Sequence, residues 1–124
     1  MRIKNDIIVK WNKDNNGVEI KGNDEHFIID INPSYHINYY NAINHCNINQ
    51  CCLPSTKQLQ LVYKIKDRIN KIIHDNSGVQ LKGWFWCCEE KWKLFAYNVN
   101  IDSLCIQFNP KELCLNAFFI KIIN

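Results

Sequence analysis

The chain carries seven cysteines and four histidines, the side chains best suited to nucleophilic catalysis, redox chemistry or zinc binding. Cys87 and Cys88 stand directly before Glu89 and Glu90, so thiols and carboxylates are neighbours. A nearby carboxylate raises a thiol pKa and disfavours the thiolate that attacks a substrate. The histidines are separated in the sequence, and none has a recognisable cysteine or carboxylate partner. We therefore predict that the chain is not an enzyme.

The cysteine spacing favours reduced thiols in the core over a metal site. The count is odd, and no C-x-x-C pair occurs. The vicinal pairs Cys51-Cys52 and Cys87-Cys88 would point to opposite sides of an extended chain, which is a poor arrangement for zinc. We expect mostly buried thiols, no metal and no cofactor. A redox or zinc-linked role is the alternative. The other cysteines are Cys46, Cys105 and Cys114.

The composition is that of one packed domain spanning residues 1–124. Apolar residues make up 47% of the chain and aromatic residues 12%, which is ample for a single core. The net charge of +3 is scattered, so we expect no nucleic-acid partner. No apolar run approaches the roughly 20 residues of a membrane span. The segment from Met1 to Lys10 is too charged for a signal peptide, so we expect cytoplasmic synthesis without standard secretion.

The elements that would position these residues begin with strands. Alternating apolar residues predict strands over residues 3–11, 18–20 and 26–31. Asn16-Gly17 is a strong signal for a hairpin turn between the first two. Asn32-Pro33-Ser34 ends this N-terminal β-meander.

Two helices are predicted to follow. The first is capped by Asn38 and keeps an apolar face as far as Cys46. The second begins at Ser55, which forms the capping box S-x-x-Q with Gln58. Its apolar stripe has a kink near Asp67 and ends before Gly78.

The last third of the chain returns to strand character, which makes the predicted class α+β with C-terminal antiparallel strands. Alternation places Trp84 and Trp86 on one face and Phe85 on the other, and we assign Trp86 to the core. Trp92 lies in a charged segment, Glu89–Lys93, which we predict to be a loop that exposes the indole. The predicted strands cover residues 84–86, 95–101, 104–108 and 117–123.

The order of four motifs resembles the Lcl C-terminal-type domain. These motifs are Cys46, Leu53-Pro54-Ser55-x-x-Gln58-Leu59, Trp84-Phe85-Trp86-Cys87-Cys88-Glu89 and Ala96-Tyr97-Asn98-Val99-Asn100. The resemblance covers about residues 26–123. It implies a C-type-lectin-like fold, related to formylglycine-generating-enzyme-like domains and to diversified phage receptor-binding proteins. It also implies a framework role for Leu53, Pro54, Ser55, Gln58, Trp84 and Trp86.

The chain departs from the family pattern at its vicinal cysteines. Cys51 and Cys52 stand where the family has Trp and Arg, and Cys87 and Cys88 replace serines. The family implies binding rather than catalysis. A calcium-dependent sugar site is disfavoured, because Lys111 stands where a ligand oxygen would be needed. In the diversified relatives the ligand face lies around the loop of Trp92 and the strand after it. The residues then predicted to contact a ligand are Glu90, Lys91, Trp92, Lys93, Asn98 and Asn100.

The expected function is a non-enzymatic binding module that recognises a protein or glycan on a host or partner surface. The family, the short chain without a signal peptide and the excess of Asn, Ile and Lys, which is typical of an AT-rich genome, together indicate a phage- or mobile-element-encoded protein. The alternative is a structural or accessory virion protein that uses the same fold for fixed contacts. A homo-oligomer is left open, because the sheet edge from Ile7 to Val9 could pair with another subunit.

Overall fold

A computed structural model of the chain describes residues 6–123 and confirms the α+β class. The strands are β1 (Ile8–Asn12), β2 (Gly17–Gly22), β3 (Glu25–Asp30), β4 (Ser34–Ile37), β5 (Trp84–Trp92), β6 (Phe95–Asn100), β7 (Cys105–Pro110), β8 (Leu115–Ala117) and β9 (Ile120–Ile122). The helices are α1 (Tyr39–Asn49), α2 (Thr56–Lys64) and α3 (Lys66–Asp75).

The strands form two sheets. The first has the order β1-β2-β3-β9, and the second has the order β4-β8-β5-β6-β7. The predicted N-terminal meander is confirmed as β1, β2 and β3, with Asn12 paired to Gly17 around the hairpin turn. Residues 3–5 of the predicted first strand lie outside the described residues. In the second sheet β5 is parallel to β8, and the other pairs are antiparallel.

The described residues contain three helices, so the prediction of two is wrong. The second predicted helix is divided at Ile65, two residues before the predicted kink at Asp67. The division has a packing reason. The α2 segment packs on β5 and β6, whereas α3 packs on β1 and β2. One straight helix could not present a single apolar stripe to both sheets, so the chain turns at Ile65 and keeps that side chain buried.

The strand predictions need three corrections. The prediction missed β4, which is short and has an irregular register. The predicted strand 84–86 continues to Trp92, so residues 89–92 of the predicted loop are strand. The predicted strand 117–123 is two strands, β8 and β9, because Phe118 and Phe119 turn the chain from the second sheet to the first.

Two hydrophobic cores lie on opposite faces of β5. The main core contains Phe85 and is enclosed by the first sheet, α2 and α3. The second core contains Trp86 and lies against α1. The predicted alternation of these two side chains is therefore confirmed. Trp86 is fully buried, and its indole N–H donates to the carbonyl of Ile37 at 3.0 Å.

The start of α2 is fixed by the capping box that the sequence predicted. The Ser55 hydroxyl accepts from the Gln58 backbone N–H at 3.1 Å, and the Gln58 side-chain oxygen accepts from the Ser55 N–H at 2.8 Å. The Gln58 amide also donates to Glu25 on β3 at 3.0 Å. The capping box therefore ties α2 to the first sheet. Leu53 and Pro54, just before it, are buried as framework residues should be.

Replacement of Ser55 by Ala should lower the free energy of unfolding by about 1 kcal/mol, because the first-turn amide of Gln58 loses its acceptor. Urea denaturation followed by circular dichroism measures the change. Ser103→Ala is the matched control: its hydroxyl makes no hydrogen bond within the described part of the chain, so stability should not change. Equal stability of the two variants would contradict the capping role.

Candidate functional site

An exposed aromatic surface covers the outer end of the β5–β6–β7 sheet. Trp92 is 69% exposed, Phe108 47% and Ile106 43%, while Phe95 and Tyr97 are half-buried beside them. These five residues are called the aromatic face below. Tyr97 also packs against the main core. The aromatic face is therefore an extension of the core stripe of β6 onto the surface.

The rings of the aromatic face contact one another edge to face. The centroid of Phe95 lies 6.2 Å from that of Trp92 and 5.9 Å from that of Phe108. Phe108 is also 6.2 Å from Tyr97, its partner across β6 and β7. The ammonium of Lys91 lies 5.1 Å from the Phe108 centroid, within cation–π range. These contacts favour one mutual arrangement of the rings.

Irregularities in β5 explain why Lys91 and Trp92 share a face although they are neighbours in the chain. The register of β5 on β6 shifts between Trp86 and Glu90, and again between Glu90 and Trp92. In a regular strand adjacent side chains point to opposite faces. A bulge adds a residue and changes that alternation. The second shift brings Trp92 opposite Phe95 and leaves Lys91 free to lie over Phe108.

The first irregularity is held against the start of α2. The backbone N–H of Cys88 donates to the carbonyl of Pro54 at 2.9 Å. The carboxylate of Glu89 accepts from the Thr56 N–H at 2.9 Å and from the Thr56 hydroxyl at 3.2 Å. A carboxylate at a helix N-terminus is favoured by the free amides and by the helix dipole. Tyr39 completes the support by donating its hydroxyl to the Cys88 carbonyl at 3.0 Å.

A buried lysine supports the far side of the same hairpin. Lys111 is only 4% exposed, and its ammonium pairs with the Glu90 carboxylate and donates to the Lys93 carbonyl at 2.7 Å. It also lies 5.3 Å from the centroid of the Tyr39 ring. The backbone N–H of Lys111 donates to Leu94 at 2.9 Å. The buried ammonium of Lys111 therefore binds the carboxylate and carbonyl oxygens around the turn. A calcium ion would need these oxygens as ligands.

Of the predicted ligand-contacting residues, the structure brings together Glu90, Lys91, Trp92 and Lys93 at the β5–β6 turn. Trp92 belongs to the aromatic face and the Lys91 ammonium lies over it, whereas Glu90 is directed toward Lys111. The sequence reasoning correctly anticipated the exposure of Trp92.

Asn98 and Asn100 lie apart from this group. Asn98 is fully buried on the opposite face of β6 and donates to the Asn109 side chain at 2.8 Å. Its own side-chain oxygen has no partner among the described residues. Asn100 accepts from the backbone N–H groups of Asp102 at 2.8 Å and Ser103 at 3.2 Å, so it shapes the next turn.

Sequence reasoning missed Ile106, Phe108 and Lys111 as parts of the site. The alternation of Ile106 and Phe108 around Gln107 was visible in a predicted strand, and it could have identified a second apolar strip beside Tyr97. No local pattern marks Lys111, because its partners Glu90 and Lys93 are distant in the sequence.

The expectation of mostly buried thiols is wrong for Cys88, Cys105 and Cys114, which are exposed. Cys46 and Cys87 are buried, and burial raises the pKa of Cys46 to about 12. Burial also raises the pKa of Cys87 far above its ordinary value, with the charge of Glu89 adding to it. Each change opposes formation of a thiolate at neutral pH. Cys51 and Cys52 are half-buried and pack against different cores, as the alternation of an extended chain predicted.

Other chemical groups lie away from the aromatic face. His26 approaches Glu19 at 2.7 Å, but this pair belongs to the first sheet. Within residues 6–123, no group of three or more histidine, cysteine or acidic side chains is placed to hold a metal ion. In the same range, every helix is too short or too polar to cross a membrane.

Comparison with protein-family profiles finds no match for this chain, and comparison with curated proteins finds none either. The C-type-lectin-like fold and the Lcl C-terminal-type resemblance therefore stay predictions.

Replacement of Lys111 by Met should lower the free energy of unfolding by about 1–3 kcal/mol, because the Lys93 carbonyl and Glu90 lose a buried donor. Urea denaturation measures the loss. Lys93→Met removes an exposed ammonium from the same turn and keeps the carbonyl, so it is the matched control and should change stability little. Equal effects of the two substitutions would contradict the role given to Lys111.

Thiol labelling should follow exposure and pKa. At about pH 8, iodoacetamide should modify Cys105 and Cys114 first and should modify Cys46 and Cys87 only after denaturation. Peptide mass spectrometry over time gives the order. The denatured chain, in which all seven thiols react, is the control. Early modification of Cys87 in the folded protein would show that its thiol is accessible and reactive.

Proposed function

We propose that this chain is a non-enzymatic binding module that recognises a protein or glycan through its aromatic face. The observation that carries the proposal is Trp92, a large apolar side chain left mostly exposed on an otherwise ordered surface. Tryptophan is strongly enriched among the residues that dominate binding energies. Contiguous apolar side chains at a surface are typical of interaction sites.

The support beneath the face favours binding without large rearrangement. Glu89 is held by Thr56 at the start of α2, and Lys111 holds the turn through Glu90 and Lys93. A surface that is already ordered loses less conformational entropy when a ligand binds. Trp92 lies between these two groups of contacts. Its backbone position is therefore consistent with a binding residue that needs little rearrangement when a ligand binds.

The chemistry around the face suits a ligand that offers an apolar surface, such as one face of a sugar ring or an apolar protein side chain. A shallow depression of about 210 Å³ lies beside Tyr97 and Ile106 and is also lined by Thr56 and Glu89. The surface that these residues expose in the depression is almost entirely apolar. The exposed rings can stack on a sugar or on an apolar protein side chain, whereas the Glu89 carboxylate and the Thr56 hydroxyl are hydrogen-bonded to each other.

The state of the thiols supports a binding role over nucleophilic catalysis. Loss of solvation, followed by the charge of Glu89, raises the pKa of Cys88 to about 11, although this cysteine is exposed near the face. A thiol of that pKa is almost entirely protonated at neutral pH. The carboxylate of Glu89 is already engaged by Thr56 and is not free to serve as a base.

The second candidate function is a structural subunit that makes fixed contacts in a larger assembly, such as a virion. It is favoured by two further exposed apolar side chains near Lys111 in the backbone, Leu94 (60% exposed) and Leu113 (43% exposed). Permanent interfaces are more apolar than transient ones. Co-purification with particles would support this candidate, whereas reversible binding by the free chain supports the first.

Replacement of Trp92 by Ala should weaken binding by at least about 30-fold, the loss expected of an interface anchor. A glycan array and a displayed library of random peptides supply the two classes of ligand, and ligands selected on the wild-type chain are then titrated against the variant. Trp92→Phe should retain part of the affinity, because a ring still packs on Phe95.

Ile48→Ala is the matched control for this experiment. Ile48 is 71% exposed on α1 and lies outside the aromatic face, so its removal also reduces exposed apolar area. Binding should be unchanged. Selected ligands that bind the Trp92→Ala and wild-type chains equally well would place recognition on another surface.

A further inference from the structure

The open edge of the second sheet is the feature that carries the inference. Sheet edges offer unpaired peptide groups to other strands unless they are covered, charged or irregular. The edge at β9 is covered at Ile120, because Cys52 and Ile120 exchange backbone hydrogen bonds of 3.0 and 2.8 Å, and its next residue, Lys121, is charged and exposed. β7 lies at the outer edge of the other sheet and keeps a regular register on β6 along its whole length.

The other two edges are each blocked in a different way. β1 carries the charged Lys10, and Arg68 donates to the carbonyl of Ile7 at 2.9 Å just before it. β4 has a register shift, and its His36 has a left-handed φ of 58°. The sequence of β7, by contrast, contains no charged residue. Of the four edges in the described residues, β7 alone is open, regular and uncharged.

The hydrogen-bond pattern shows which peptide groups of β7 point outward. Ile101 donates to Gly83, so alternate residues of β6 bond to β5 and the remaining ones bond to β7. The backbone N–H of Lys111, just after β7, donates to Leu94, just before β6. Counting back from Lys111 by twos, Asn109, Gln107 and Cys105 are therefore the residues that bond to β6. The residues between the bonded positions direct their N–H and C=O groups away from the sheet. These outward residues are Ile106, Phe108 and Pro110.

The open stretch is short and symmetric. Pro110 has no N–H, so it ends the series of donors at one side. Leu104 donates to Asn100 at 2.8 Å and is therefore unavailable at the other side. Two residues, Ile106 and Phe108, keep both a donor and an acceptor free, with Gln107 midway between them.

We propose that β7 pairs antiparallel with β7 of a second copy of this chain, about a two-fold axis at Gln107. In that register Ile106 of each copy lies opposite Phe108 of the other, and all outward donors meet outward acceptors. Gln107 lies opposite its own copy. Because the strand is uncharged, no like charges face each other across the new pair.

The pairing also covers exposed apolar surface. Ile106 and Phe108 lie on the aromatic face and are 43% and 47% exposed in the single chain. Across the axis each aliphatic side chain would contact the ring of the other copy, a favourable cross-strand pair. The dimer would join the two aromatic faces into one surface across a continuous sheet. Each dimer would then present Trp92 twice, and a ligand with repeated epitopes would bind with avidity.

Disulfide trapping tests the register. In the proposed pair Gln107 is a non-hydrogen-bonded position, where opposed Cα atoms lie about 4.5 Å apart, within the range that a disulfide spans. The exposed thiols Cys88, Cys105 and Cys114 are first changed to Ser. Gln107→Cys in this background should form a disulfide-linked dimer under mild oxidation. Ser103→Cys, at an exposed position in the turn before β7, is the control and should stay monomeric on a denaturing gel.

Sedimentation equilibrium tests the association without a new thiol. The wild-type chain should show a concentration-dependent doubling of mass. Ile106→Pro should abolish it, because proline removes an outward donor at a position that β6 does not use, as Pro110 already shows for this strand. Circular dichroism checks that this variant remains folded.

Three outcomes of the cross-linking and sedimentation experiments would overturn the proposal. They are a wild-type chain that stays monomeric at every concentration, a dimer that persists in Ile106→Pro, and cross-linking of Ser103→Cys as fast as Gln107→Cys. Protection of the Ile106 and Phe108 amides from hydrogen exchange only after an extended foreign peptide is added would also overturn it, since the edge would then serve another partner.

Discussion

The contact between the irregular part of β5 and the start of α2 determines where the surface of this protein becomes aromatic. Cys88 and Glu89 bond to Pro54 and Thr56, so the strand is pulled toward the helix at one point. Beyond that point β5 has a new register on β6. The side chains of the following residues, up to Trp92, therefore do not point to the sides of the sheet that the alternation of a regular strand would give them. The first turn of α2, whose cap is formed by Ser55 and Gln58, thus also fixes the strand that leads to the exposed Trp92.

A second constraint acts from the other side of the hairpin. The ammonium of Lys111 is enclosed by a carboxylate, a carbonyl and the ring of Tyr39, which together replace the water it has lost. Its backbone meanwhile connects Leu94 to Tyr39 at the start of α1. The hairpin that carries Trp92 is thus hydrogen-bonded to the starts of both α1 and α2, although few of its own side chains enter a core.

Much of the fold could be predicted because its signals are local. The caps at Asn38 and Ser55, the hairpin at Gly17 and the alternation of Phe85 and Trp86 each depend on residues a few positions apart. The errors concern interactions between distant residues. The division at Ile65 follows from packing on two sheets, and the strand character of residues 89–92 follows from pairing with β6 across an altered register. The same distinction holds at the site, where Trp92 was found from its charged neighbours but Lys111 was not.

The consecutive side chains Phe118 and Phe119 enter different cores, and the strands on either side of them belong to different sheets. This arrangement has a consequence for biosynthesis. Neither sheet has its full set of strands until residues 115–122 have left the ribosome, even though β1 to β3 can form their hairpins much earlier. The apolar edge of β3 stays unpaired until β9 has been synthesised. During that interval the nascent chain is most exposed to chaperone binding and to incorrect strand pairing.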